Sequence, residues 1–165
     1  MSIVRVKVIS INAVKKGDEM LKKITLSILL TSSLLFNSNC IFAIGVNNGH
    51  LEVCGSKPNC VSTTNTEAPH AIEPWSYDSA SNLDDIKSRL VKLLDDNNAE
   101  IITVENNYIH AEFKSKIFKF VDDVEFLIDE NKQSIEVRSA SRKGYFDFKV
   151  NLKRVQKLKK SYLAE

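Results

Sequence analysis

Acids and arginines crowd the last third of this chain. Asp122, Asp123 and Glu125 stand almost side by side, Arg138, Ser139, Ser141 and Arg142 follow within one short segment, and Asp147, Asn151 and Arg154 lie just beyond. Such groups have two uses. They can lock to one another as an ion-pair and hydrogen-bond network that fixes the fold. Alternatively Arg138, Ser139, Ser141 and Arg142 stay free and their forked donors bind a carboxylate or phosphate. On that second reading the ligand-binding set is Asp122, Asp123, Glu125, Arg138, Ser139, Ser141, Arg142, Asp147, Asn151 and Arg154, and the partner is a small anionic ligand or an envelope component.

A catalytic reading has less to stand on. The histidines are His50, His70 and His110, and only His110 falls in a predicted strand, half-exposed beside Tyr108 and Glu112. A hydrolase-like enzyme would set His110 with Glu125 or Asp123 in a pocket between sheet and arm, with Ser139 or Ser141 as hydroxyl. No glycine-rich phosphate loop, nucleophile elbow or zinc-protease helix appears in the sequence. For a metal, His50, Cys54, Cys60 and His70 offer four N and S ligands, but the cysteines are spaced more widely than a zinc knuckle. Adjacent carboxylates such as Asp122 and Asp123 point to opposite faces of a strand. No metal and no cofactor are expected.

The elements that position these residues follow from periodicity. Leu83, Ile86, Leu90, Leu93 and Leu94 recur at three- and four-residue spacing, which predicts a helix over Ser81–Asn97 capped by Ser81 with Asp84. The period then changes to two. Ala99–Glu105 and Tyr108–Lys114 read as strands joined by a tight Asn106-Asn107 turn. A third strand runs over Phe120–Ile128 and a fourth over Ser134–Ala140. A loop at Glu130–Gln133 sets Glu125 opposite Arg138, whereas the nearest same-face register would set it against Glu136, a like-charge pair. Alternation puts Asp123, Glu125 and Arg138 on the face away from the core and Asp122 with Val124 on the core face, where Arg142 or the turn after Ser139 is expected to satisfy it. A last helix over Phe148–Leu163 turns Phe148, Leu152, Val155, Leu158 and Tyr162 inward. Its other side carries Lys149, Lys153, Arg154, Lys157, Lys159 and Lys160, either a solvated face or a peripheral contact with anionic membrane.

The expected fold is therefore α+β, a four-stranded antiparallel sheet with two helices covering one face. It occupies residues 79–165 and follows an irregular arm at 44–78, held by apolar contacts of Val61, Ile72 and Trp75 and forming one unit with the domain.

The N-terminus sets the expected compartment. Lys22 and Lys23 precede an apolar run, Ile24–Phe36, of about 13 residues, and Ala43 ends the segment. This is the layout of a cleavable signal peptide and is shorter than the roughly 20 residues of a spanning helix. Cleavage near Ala43 would leave a periplasmic or secreted domain. A lipoprotein through Cys40 is the alternative, with Asn37-Ser38-Asn39 a poor acylation box. Residues 1–19 are expected to be an untranslated upstream extension, because Lys15–Glu19 back-translates to a purine-rich ribosome-binding string before Met20. Six of the 23 Lys and Arg and two of the 21 Asp and Glu lie before Ile44, leaving 17 against 19. That balance excludes a general nucleic-acid binder. Loss of Cys40 with the leader leaves Cys54 and Cys60, which in an oxidising compartment read as one disulfide.

Several segments together resemble domain-of-unknown-function family 1499, a group of bacterial and plastid proteins. They are Cys54 with Pro58-Asn59-Cys60-Val61-Ser62, then Phe120–Phe126, then Arg138–Arg142, Gly144-Tyr145, Asp147, Asn151 and Arg154-Val155. The likeness runs from about Cys54 to Leu158. It implies a small domain carried behind a signal peptide or membrane segment and implies no activity. Gly55 stands where the family has Pro, and Lys149 and Leu152 stand where members often have Gly and Arg. The reading as a whole is an exported, monomeric, non-catalytic binding or envelope-associated accessory module.

Overall fold

The computed structural model describes residues 44–115 and 119–164. The expected upstream extension, the apolar leader, Cys40 and the cleavage point at Ala43 lie outside them. In chain order the elements are β1 (Val46–Asn47), β2 (His50–Leu51), β3 (Cys60–Ser62), β4 (Trp75–Ser76), α1 (Leu83–Asp96), β5 (Glu100–Glu105), β6 (Tyr108–Lys114), β7 (Val121–Asp129), β8 (Ser134–Ser141) and α2 (Val150–Tyr162). Among the described residues the architecture is α+β, with two helices and one large antiparallel sheet. Among the described residues no helix is long and apolar enough to cross a membrane.

The sheet has six strands where four were expected. Their order is β3-β8-β7-β6-β5, and β4 pairs β8 further along the edge that β3 occupies. Cys60 faces Ala140 and Ser62 faces Arg138, while Trp75 faces Ile135. The arm thus supplies an edge to the sheet instead of staying irregular. Strands of two and three residues are too short to show a period of two, so alternation gave no sign of them. A separate hairpin, β1 with β2, pairs Val46 with Leu51.

The central register is the one that charge pairing predicts. Glu125 lies opposite Arg138 and Phe126 opposite Val137. Asn106 turns the β5–β6 hairpin with φ 46°, left-handed backbone that asparagine tolerates. A register shift between Ile101 and Thr103 interrupts the same pair.

Both helices pack on one face of the sheet. Ile86, Leu90, Leu93 and Leu94 of α1 and Val155, Leu158 and Tyr162 of α2 meet Ile109, Val124, Phe126, Ile128, Ile135 and Val137. Trp75, wholly buried, stands edge-on to Phe126 at 5.3 Å and tilted against Tyr162 at 5.5 Å. The arm therefore reaches the core through Trp75 and Val61. Burying each such large side chain contributes about 1.5–3 kcal/mol.

The helix starts differ from expectation. Asn82, not Ser81, caps α1, its side chain accepting from Asp85 N at 2.9 Å. Asparagine and serine cap equally well, so residue type alone leaves the choice of position open. The start of α2 falls at Val150, because Phe148 and Lys149 have φ 53° and 62°, which an α-helix does not admit. Phe148 consequently stays outside the core, 82% exposed, while Leu152 packs against it.

Candidate functional site

The sheet divides the expected cluster in two. Residues 122, 139 and 141 sit on the helix-covered face, and residues 123, 125 and 138 on the other.

On the helix-covered face, Arg154 is the hub. Its Nη2 donates to Asp122 Oδ2 at 2.6 Å, and its Nη1 donates to Asn151 Oδ1 at 2.7 Å and to Ser139 Oγ at 3.2 Å. The guanidinium also stands 4.8 Å from the centre of the Phe113 ring. Arg154 therefore fills the role that Arg142 or the turn was expected to fill for Asp122. The reason is reach: α2 lies over this face, and Arg142 belongs to the opposite one. Asn151, fully buried, accepts from Ser139 Oγ at 2.6 Å and donates through Nδ2 to Asn59 O, Ser141 Oγ and Asp147 Oδ2. Asn59 Nδ2 donates in turn to Gly144 O at 2.9 Å and Ser141 O at 3.3 Å. The Asp147 carboxylate accepts from the backbone N–H groups of Lys149 and Asn151 at 2.9 Å each, which satisfies two of the open donors at the start of α2.

The far face carries a second network. Glu125, wholly buried, accepts from Arg138 Nη1 at 2.7 Å, from Tyr108 OH at 2.9 Å and from Gly45 N at 2.6 Å. Arg138 Nε is buried with no partner among the described residues. Burial, and then the neighbouring Glu125 charge, push the Tyr108 phenol well above its ordinary value, so it remains a donor. Asp123 lies 2.8 Å from His110 Nε2 and accepts from Arg142 Nε at 2.9 Å and Nη2 at 2.7 Å. Arg142 also pairs with Glu112, and Lys114 with Glu112 and Glu100. Burial raises the Asp123 carboxyl, and the bonds from His110 and Arg142 outweigh it, leaving Asp123 below its usual value. Glu112 follows the same pattern, raised by burial and lowered further by Arg142 and Lys114. The Arg142 guanidinium is raised, chiefly by its bond to Asp123.

His110 was expected half-exposed and is 5% exposed. A strand's alternation names the face but not what covers it. The pair with Asp123 brings together two of the residues a hydrolase would use. Ser139 and Ser141, however, lie across the sheet from His110, so no His–carboxylate–Ser arrangement forms with either. The hollow of about 450 Å³ between β2 and β8 is lined by residues that include His50, Thr63, Thr64 and Glu136 and does not reach His110. Within it His50 Nδ1 meets Glu136 at 2.5 Å, and Leu51 N donates to the same carboxylate at 3.0 Å.

Cys54 and Cys60 form a disulfide, which removes both thiols from the set of metal ligands that includes His50 and His70. Among the described residues no group of three or more His, Cys, Asp or Glu could hold a metal ion. The bridge packs with Ala140 on the far face, and Cys60 O lies 2.9 Å from His70 Nδ1.

A third feature was not read from the sequence. Between β8 and α2 the chain runs Lys143-Gly144-Tyr145-Phe146-Asp147-Phe148-Lys149, and Tyr145 and Phe146 are 60% and 67% exposed. Phe146 and Phe148 line an apolar cleft of about 970 Å³ whose other wall includes Pro58, Ala68 and Pro69, with Leu152 also lining it. The signal was present as three aromatics in four positions directly after a glycine, of which the expected inward-facing helix took up only Phe148. Left-handed backbone costs roughly 1–2 kcal/mol per residue with a side chain, so Phe148 and Lys149 are held outward against a local preference.

Comparison with curated proteins and with solved structures gives no match. The family described as "Protein of unknown function (DUF1499)" matches residues 50–161, a span that takes in every side chain of both networks, the disulfide and the aromatic loop, and the chain belongs to that family.

Proposed function

We propose that this protein is a non-catalytic binding module of the cell envelope, monomeric and exported on its apolar leader, whose ligand surface is the aromatic cleft. The charged residues serve as its frame. Three arginines, Arg138, Arg142 and Arg154, are each paired with an internal carboxylate, which leaves them poorly placed to receive an outside anion. The His110–Asp123 pair is buried and works as part of that frame. The observation that carries the reading is the cleft itself: large aromatic side chains held outward on constrained backbone beside about 970 Å³ of apolar space. Such concave apolar sites with a few polar groups suit small ligands, and here Asp147 and Lys149 stand at the cleft wall. An oxidised Cys54–Cys60 pair fits an oxidising compartment.

The probe is 8-anilinonaphthalene-1-sulfonate, an apolar ring system with one anionic group. The fragment from Ile44 to Glu165 lies within one compact unit and is the form to use, with cooperative melting as the check on its fold. Bound dye on the folded fragment, lost in Phe148→Ser and Leu152→Gln variants that melt normally, is the expected result. A folded fragment that leaves the dye dark ends the cleft reading. For export, the protein recovered from cells should begin at or near Ile44, and an N-terminus at Met1 or Met20 refutes it.

A further inference from the structure

The loop that walls the cleft is also flanked by unpaired positive charge. Lys143, Lys149, Lys153, Lys157 and Lys160 are all exposed. Among the described residues none of them forms an ion pair, unlike Lys114 and Lys132 elsewhere on the surface. Lys149 just before α2 and Lys153, Lys157 and Lys160 within it follow at four-, four- and three-residue spacing, a run that starts at the aromatic loop. Val150, 45% exposed, lines one groove with Lys153 and Lys157. Apolar tips with a basic surround are the pattern of a surface that meets anionic lipid, with rings at headgroup level and lysines on phosphates.

The frame beneath the loop serves this directly. Asn59 holds Gly144 O, Asp147 holds the N–H groups of Lys149 and Asn151, and Asn151 ties both to Ser141. The loop is thus fixed at both ends by buried polar groups while its three rings point outward, so little ordering remains to be done on docking. Asp122 pairs with Arg154, and Asp147 accepts from Asn151 and from the N–H groups at the start of α2, so neither carboxylate pairs with one of these lysines.

We propose that Tyr145, Phe146 and Phe148 dock this domain on an anionic bilayer surface, with Lys143, Lys149, Lys153 and Lys157 pairing with lipid phosphates. The proposal rests on the reading of the aromatic loop as the working face and names the surface it works against.

The test is sedimentation of the Ile44–Glu165 fragment with vesicles of phosphatidylglycerol and phosphatidylcholine, and with phosphatidylcholine alone. Binding should require the anionic lipid and weaken with salt. Replacing Phe148 by Ser should lower the partition coefficient about tenfold, and each of Lys149→Gln and Lys153→Gln should lower it about fivefold. Lys132→Gln, on the β7–β8 turn, should leave it unchanged. A Phe148→Trp variant supplies an independent readout, since its emission should shift to shorter wavelength on anionic vesicles while Trp75 stays buried. Absence of vesicle binding by a fragment that still lights the dye overturns this proposal and leaves the cleft reading standing; failure of both removes both. Binding that survives loss of the rings also overturns it. So does a concentration-dependent dimer dissolved by Phe148→Ser, which would assign the patch to a second copy of the chain.

Discussion

Glu125→Gln and Arg138→Met, made singly and together, separate the buried ion pair from the bonds around it. In the native protein Glu125 is fully buried and Arg138 is 4% exposed. Removing the guanidinium strands a carboxylate that keeps two donors, Gly45 N and Tyr108 OH. That places Arg138→Met near the low end of the usual penalty for breaking a buried pair, about 3 kcal/mol. The glutamine of Glu125→Gln still accepts from both of those donors but leaves Arg138 charged and uncompensated, with its Nε already lacking a partner among the described residues, again about 3 kcal/mol. The double variant buries no charge at all and should cost only about 1 kcal/mol against a sum of about 6. For a domain of this size about 4 °C of melting temperature goes with each kcal/mol, so each single variant should melt about 12 °C lower and the double about 4 °C lower. Urea unfolding followed by the fluorescence of Trp75, the only tryptophan, reads all four proteins. Additive losses, within about 0.5 kcal/mol, would refute the pair as a coupled lock.

Three further substitutions test the acid cluster and the turn before α2. Asp123 and Glu112 are held below their ordinary carboxylate values in the folded state, so the stability they contribute is present above those ordinary values, about pH 4, and is lost as pH falls through the depressed ones. Arg142→Gln removes a donor common to both acids, and the acid limb of its urea midpoint, measured from pH 7 to pH 3, should move to higher pH; an unmoved limb contradicts the role given to Arg142. Lys149→Gly places glycine where the backbone has φ 62° and should stabilise by about 1 kcal/mol, whereas Lys153→Gly inside α2 should destabilise by about the same. Equal signs from the pair would show that the left-handed turn at Lys149 carries no strain.

The resemblance had already placed glycine near position 149 in other members, and the backbone angle at Lys149 gives that departure a physical meaning. What the sequence made legible is what depends on near neighbours. A like-charge clash with Glu136 was enough to choose the β7–β8 register, and alternation alone sorted Asp123, Glu125 and Arg138 from Asp122. Partners reached across elements were beyond it. Asp122 is answered by Arg154, which required knowing where α2 lies on the sheet, and the burial of His110 is a property of coverage, which strand alternation does not report. Of the arm's short strands, β3 and β4 join the sheet through Val61 and Trp75, single apolar anchors with no period to announce them. Phe148 fails for an opposite reason: its spacing from Leu152 and Val155 suits a helical stripe, yet Asp147 caps the helix from outside and the turn before Val150 points the ring to solvent. The same polar contacts that end the pattern therefore create the exposed aromatic face. If those contacts exist to present it, Asn151→Ala should impair vesicle binding through the loop's order even though Asn151, buried, touches no lipid.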